Sequence, residues 1–167
     1  ALKSAEYGVD KIRINPGNIG DEERVRAVVD ACKAKNIPIR IGVNSGSVEK
    51  HILAKHGSPT SEALCESALY HAAILEKYDF YDTAISIKSS DVTTMIAANR
   101  LVAKKCDYPI HIGVTEAGAE KGGSIKSAIG IGSLLCDGIG DTLRVSLTAD
   151  PVKEVVAAKD ILNALNV

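Results

Sequence analysis

The chain has 167 residues, 46% of them hydrophobic, and carries twenty Lys and Arg against twenty-one Asp and Glu for a net charge of −1. That length suits a single domain with a sizeable core, while balanced charge, one Phe, five Tyr and no Trp argue against a nucleic-acid partner. No apolar run approaches the roughly 18 residues of a membrane span and no signal peptide opens the chain, so no membrane partner and a cytoplasmic location are expected.

Residues 1–8 read as the last turns of a helix closed by Gly8, so the chain is expected to begin inside an element. Lys11 to Asn15 alternates as a strand and runs into a Pro16-Gly17 turn. From Asp21 to Lys35, Val25, Val28, Val29 and Cys32 recur at helical spacing, with Glu22 and Glu23 in the first turn. A second strand, Ile39 to Asn44, leads through Ser45-Gly46-Ser47 into a short helix to about Lys55. A longer helix follows from Thr60 to about Tyr78, lined by Leu64, Ala68, Ala72 and Leu75.

The third strand is Thr83 to Lys88, and Asp91 is placed to cap a helix carrying Val92, Met95, Ile96 and Val102. The fourth is Ile110 to Thr115, followed by a glycine-rich loop around Glu116-Ala117-Gly118 and Gly122-Gly123 and a helix to about Cys136. The fifth is Leu143 to Leu147, after which Asp150-Pro151 supplies an N-cap and an N1 proline for the last helix. Cys32, Cys65, Cys106 and Cys136 form no C-x-x-C pair and fall where helices are expected; they read as buried small hydrophobes, and no metal is assigned to them.

Five βα units imply an α/β fold with a parallel sheet and right-handed crossovers over one domain, residues 1–167. An open doubly wound sheet would have strands apolar on both faces, and these are not. In each strand one parity is apolar. The other carries Arg13 and Asn15; Arg40, Gly42 and Asn44; Ser86 and Lys88; His111, Gly113 and Thr115; Arg144 and Ser146. In a partial (β/α)8 TIM-type barrel that parity faces the axis, with the active site at the C-terminal strand ends.

Arg13, Arg40, Lys88 and Arg144 are then expected to converge, with Glu116 as the nearest carboxylate. Clustered cations need an anion, and forked guanidiniums suit phosphate or diphosphate oxygens. Asn15, Asn44 and Ser146 are candidates for further hydrogen bonds to the substrate, and Glu116 for proton transfer. A Schiff-base role for Lys88 in a phosphate-binding barrel lyase is an alternative. His111 reads as a hydrogen-bonded interior histidine, and Glu116 could instead pair with Lys126 or an Arg. Ile129-Gly130-Ile131-Gly132 and Gly138-Ile139-Gly140 lie within or after a helix, so they are read as close packing and a turn instead of a dinucleotide fingerprint.

Five segments, taken in order, closely resemble one family: Arg13-Ile14-Asn15-Pro16-Gly17-Asn18-Ile19-Gly20, Pro38-Ile39-Arg40-Ile41-Gly42-Val43-Asn44, Thr115-Glu116-Ala117-Gly118, Lys126-Ser127-Ala128-Ile129-Gly130 and Gly138-Ile139-Gly140-Asp141-Thr142-Leu143-Arg144-Val145-Ser146. It is the flavodoxin- or ferredoxin-dependent 4-hydroxy-3-methylbut-2-enyl diphosphate synthase of the non-mevalonate isoprenoid pathway. The resemblance implies a TIM-type barrel binding 2-C-methyl-D-erythritol 2,4-cyclodiphosphate. It also implies a separate domain with a four-iron four-sulfur (4Fe-4S) cluster, and a two-electron reductive ring opening with loss of water.

On that resemblance Arg13, Arg40 and Arg144 are diphosphate ligands, Asn44, Lys88 and Ser146 are further ligands, and Glu116 assists protonation. Five units are too few to close eight strands, and none of the four cysteines stands in a cluster-ligand motif. The chain is therefore expected to be a fragment lacking the first three βα units and the cluster domain, and inactive alone. Open edges at 11–15 and 143–147 lead to the expectation of a homodimer. A non-catalytic half-barrel binding module is the remaining alternative.

Overall fold

The computed structural model describes residues 1–15, 19–20 and 22–166, which divide into two compact units, 1–86 and 87–167. The expected Pro16-Gly17 turn, the helix start at Asp21 and the terminal Val167 lie outside the described residues.

The first unit opens with helix α1 (Leu2–Glu6), which Gly8 follows at φ +79. Strand β1 (Ile12–Ile14) comes next, then α2 (Glu22–Lys33), whose buried side chains are Val25, Val28, Val29 and Cys32. Burial raises the Cys32 thiol above its ordinary pKa, as suits a packing residue. Strand β2 (Ile39–Asn44) runs parallel to β1 with Ile12 opposite Ile39, Arg13 opposite Arg40 and Ile14 opposite Ile41. The pairing therefore preserves the parity read from the sequence.

Two helices follow, α3 (Lys50–His56), ended by Gly57 at φ +76, and α4 (Ser61–Lys77), N-capped by Thr60 Oγ1, which accepts from the Ala63 N–H at 3.2 Å. Leu64, Ala68, Ala72 and Leu75 of α4 are all buried, and α4 packs against β2. Glu66 ties α3 to α4 by accepting from Lys55 at 2.7 Å and bonding His56 at 2.8 Å. These partners, Lys55 foremost, lower the Glu66 pKa from an ordinary 4.5 to about 2. Strand β3 (Thr83–Lys88) completes a sheet of order β1-β2-β3.

The second unit takes the end of β3, from Ile87, into α5 (Val92–Ala103), capped by Asp91 Oδ1 accepting from the Thr94 N–H at 2.7 Å. Met95, Ala98, Asn99 and Val102 are its buried side chains, while Ile96 is half-buried. Strand β4 (His111–Ile112) pairs in parallel with β5 (Thr142–Leu143), His111 opposite Thr142. Between them runs α6 (Glu120–Cys136), and α7 (Pro151–Leu165) ends the chain, with Asp150 Oδ1 accepting from the Val152 N–H at 2.9 Å.

Helix α6 packs between α5 and α7. Gly130 permits the α5 contact: a methyl on it would come within 2.6 Å of Met95 Cε and 2.9 Å of Val114 Cγ2. The glycines at 138 and 140 adopt φ +74 and +124 in the turn that leads to β5. The packing-and-turn reading of these motifs holds.

Several expectations need correction. The fourth and fifth strands, expected at 110–115 and 143–147, keep a continuous ladder at 111–112 and 142–143, with a single bridge residue at Ile110 and a parallel bridge between Ala119 and Thr148. The Arg144 carbonyl oxygen presses so closely on Gly113 that any side chain there would overlap it. The Leu147 N–H, on the parity of this segment that points away from β4, donates to a carboxylate. Gly122 and Gly123 lie in the first turn of α6, not in a loop. Of the four cysteines only Cys32 and Cys65 are buried; Cys136 is exposed at the end of α6, and Cys106, half-buried, lies beyond the end of α5. Leu143 and Leu147 are only half-buried.

Candidate functional site

In the first unit the polar parity of β1 and β2 carries Arg13, Asn15, Arg40 and Asn44, while the opposite parity, Ile12, Ile14, Ile39, Ile41 and Val43, is buried. Arg13 is exposed and Arg40 half-buried, side by side in register. The Arg13 guanidinium leans forward along the neighbouring strand, and Nη2 donates to the Gly42 carbonyl at 3.2 Å. Asn15 is half-buried, and its Oδ1 is enclosed with no hydrogen bond among the described residues. Asn44 Oδ1 accepts from the Gly46 N–H at 3.1 Å, and Ser47 Oγ donates to the Asn44 carbonyl at 3.1 Å, so the residue also shapes the turn after β2.

In the second unit Lys88 ends β3 half-buried. Just before it, the buried Asn99 amide donates to the carbonyls of Ile87 at 3.1 Å and Met95 at 2.8 Å, which fixes the strand end against α5. A methyl on Gly113 would lie 3.2 Å from Lys88 Nζ, so the ammonium occupies the space above that glycine. His111 is buried, with Nδ1 2.8 Å from Thr142 Oγ1, as an interior histidine should be.

Arg144 is exposed and its Nη2 stands 3.5 Å from Glu154 Oε2; Ser146 is half-buried. Glu116 is exposed on the loop after β4 at φ +51, and among the described residues it makes no ion pair with Lys126 or an Arg. Positive φ is ordinary for Asn36, Asp79 and Asn166, which share it, and uncommon for a glutamate.

The first unit thus presents cations and amides on one parity of its parallel strands, and the second places Lys88 at the end of β3 and Arg144 just beyond β5. Residues 1–159 match the GcpE TIM-barrel domain. The chain belongs to the GcpE TIM-barrel family. The expected partial (β/α)8 architecture is accordingly that of a GcpE barrel. Proteins named 4-hydroxy-3-methylbut-2-en-1-yl diphosphate synthase (flavodoxin) are close relatives: the Clostridium perfringens protein is 64% identical over 162 residues, covering 97% of this chain and 46% of its own length. The Fusobacterium nucleatum protein is 60% identical over 166 residues, 99% of this chain and 47% of its own. The chain spans just under half the length of these GcpE relatives. A solved structure of type I 3-dehydroquinate dehydratase from Clostridium difficile, with covalently modified comenic acid, shares the fold at a TM-score of 0.60 and 17% identity, over 98% of this chain and 58% of that one.

Two features of this GcpE segment escape a reading by strand parity. Glu154, in the first turn of α7, accepts from the Leu147 N–H at 2.9 Å through Oε1 while Oε2 faces Arg144. Its only trace in the sequence is an acid one turn into a helix that follows a strand. Glu49 and His71 form a largely buried pair at 2.5 Å in the first unit. Burial works to raise the Glu49 pKa, but the favourable polar surroundings, the His71 hydrogen bond foremost, outweigh it and leave it lowered. Beside this pair lies a cavity of about 430 Å³ that His51, Tyr70 and Ser47 also line and that neither Arg13 nor Arg40 reaches.

Proposed function

We propose that this chain is the substrate-binding barrel segment of an enzyme that reductively opens 2-C-methyl-D-erythritol 2,4-cyclodiphosphate to 4-hydroxy-3-methylbut-2-enyl diphosphate. Residues 1–167 are read as one partial barrel domain of that protein. The observation that carries the reading is near-60% identity to proteins of that name along essentially the whole chain. The placement of Arg13, Arg40, Lys88 and Arg144 on the polar parity supports it.

In this reading the four cations neutralise the diphosphate, with the guanidiniums supplying paired N–H donors. Asn15, Asn44 and Ser146 bond its remaining oxygens or the hydroxyls, and the exposed Glu116 carboxyl delivers a proton as the ring opens and water leaves. Flavodoxin or ferredoxin is the electron donor, and the protein works as a homodimer in the cytoplasm. No helix among the described residues is long and apolar enough to cross a membrane.

The 4Fe-4S cluster of this reaction does not fit the cysteines present. Cys32 and Cys65 are buried within helices, and among the described residues no three His, Cys, Asp or Glu side chains are grouped to hold a metal. The segment binds and protonates; it does not carry the electrons.

The test compares the protein at its natural length with residues 1–167 alone, using the cyclodiphosphate and a reduced flavodoxin. Turnover is expected from the first and none from the second, and calorimetry should find tight binding only in the first. Failure of the natural-length protein to bind the cyclodiphosphate would overturn the reading.

A further inference from the structure

Gly42 sits in the middle of β2, where a glycine is costly: it weakens a strand through backbone entropy and offers no side chain to pack. The usual justification is missing, because Gly42 does not adopt the left-handed φ that excludes other residues. An alanine would suit its backbone.

What excludes the methyl is one side chain. The three atoms nearest to a Cβ built on Gly42 all belong to Arg13: it would overlap Nε, and lie 2.8 Å from Nη2 and 2.9 Å from Cζ. Arg13 pairs with Arg40 in register, so Gly42 is the next residue of the same parity toward the C-terminal end of β2. The guanidinium crosses diagonally onto that bare backbone and donates to the Gly42 carbonyl at 3.2 Å. Any side chain at position 42 would push it off this path.

We propose that Gly42 is a positioning residue for Arg13: the space left by its missing side chain sets the depth and direction at which that guanidinium meets the anionic substrate. The proposal rests on the reading of Arg13 as a diphosphate ligand. It adds a residue with no functional group of its own to the determinants of substrate affinity.

Lys88 over Gly113 repeats the arrangement, but Gly113 is also pressed by the Arg144 carbonyl, so a substitution there would disturb backbone as well as cation. Gly42 is the cleaner position.

The experiment is a double-mutant cycle in the natural-length protein, with Gly42→Ala, Arg13→Ala and both together, titrated calorimetrically with 2-C-methyl-D-erythritol 2,4-cyclodiphosphate and melted without ligand. Arg13→Ala should weaken binding by about 10-fold or more, as loss of a charged hydrogen bond does. Gly42→Ala should weaken it by a comparable factor while leaving the melting temperature unchanged or slightly higher. In the Arg13→Ala background, Gly42→Ala should change binding by less than about 2-fold, the mark of two residues acting through one contact.

Wild-type affinity in Gly42→Ala, or an equal loss in both backgrounds, would overturn the proposal with the role of Arg13 intact. Wild-type affinity in Arg13→Ala removes the underlying reading instead, and this one with it. Should Gly42→Ala fail to fold, recovery of folding in the double variant supports a clash confined to Arg13. A double variant that is also unfolded counts against it.

Discussion

Glu116 spends conformational energy that a glutamate at an ordinary surface position does not. Its left-handed backbone brings Cβ close to the following carbonyl, at a cost of about 1–2 kcal/mol that glycine does not incur. Strain of this kind persists where the surroundings impose it, and functional sites are where it collects. Glu116→Gly should therefore raise unfolding stability by up to about 1 kcal/mol, since the added freedom of the unfolded chain offsets part of the relief, while abolishing turnover. Glu116→Gln should melt as wild type and also lose turnover; melting curves beside a reductive assay check both. An active Glu116→Gln would remove the carboxyl from the chemistry. At this scale the sequence makes Arg13, Arg40, Lys88 and Arg144 visible, because charge on one parity of a short strand is hard to explain otherwise. It hides Glu116's φ and Gly42's occupied space, because both depend on neighbours brought together only by the turn and the strand register.

Among the elements, β2 and β3 run over the residues expected from alternation, and α2 and α4 bury the side chains expected from helical spacing, since both periods report directly on burial. Strands β4 and β5 are shorter than alternation suggests: just past their last ladder pair the Arg144 carbonyl closes on Gly113, and beyond it Glu154, a side chain from the following helix, takes up the Leu147 N–H. The Glu154 carboxylate holds the backbone after β5 through one oxygen and faces Arg144 with the other. The two substitutions at this position should separate those parts. Glu154→Ala leaves the Leu147 N–H without its acceptor and should destabilise by about 1–3 kcal/mol. Glu154→Gln keeps an acceptor and should cost less, with its main effect on cyclodiphosphate affinity through Arg144. Chemical denaturation and titration of the two variants check this; equal stability losses would mean that the backbone contact carries nothing.

For the molecule as a whole, a net charge of −1 conceals a lopsided response to acid. The carboxyls of Glu22, Glu49, Glu62, Glu66 and Asp91 are all held below their ordinary pKa by hydrogen bonds and ion pairs. A carboxyl lowered by folding contributes fully above its unfolded pKa, and the contribution fades as pH falls through its folded value. For Glu66 that window runs from 4.5 down to about 2. Twenty Lys and Arg stay charged throughout and repel once the acids are protonated. Unfolding temperature should thus fall steadily below pH 4.5, and Glu66→Gln should flatten the steepest part of that fall, an effect that added salt diminishes because the pair is exposed. An unchanged acid limb in Glu66→Gln would show that the α3–α4 tie contributes no acid sensitivity. Gly42 carries a different lesson about what could be moved to another scaffold. A designer who copied Arg13 onto a barrel strand would obtain a cation of uncertain aim. The portable part is two adjacent strands, one bearing the arginine and the other a gap one hydrogen atom wide in place of a side chain.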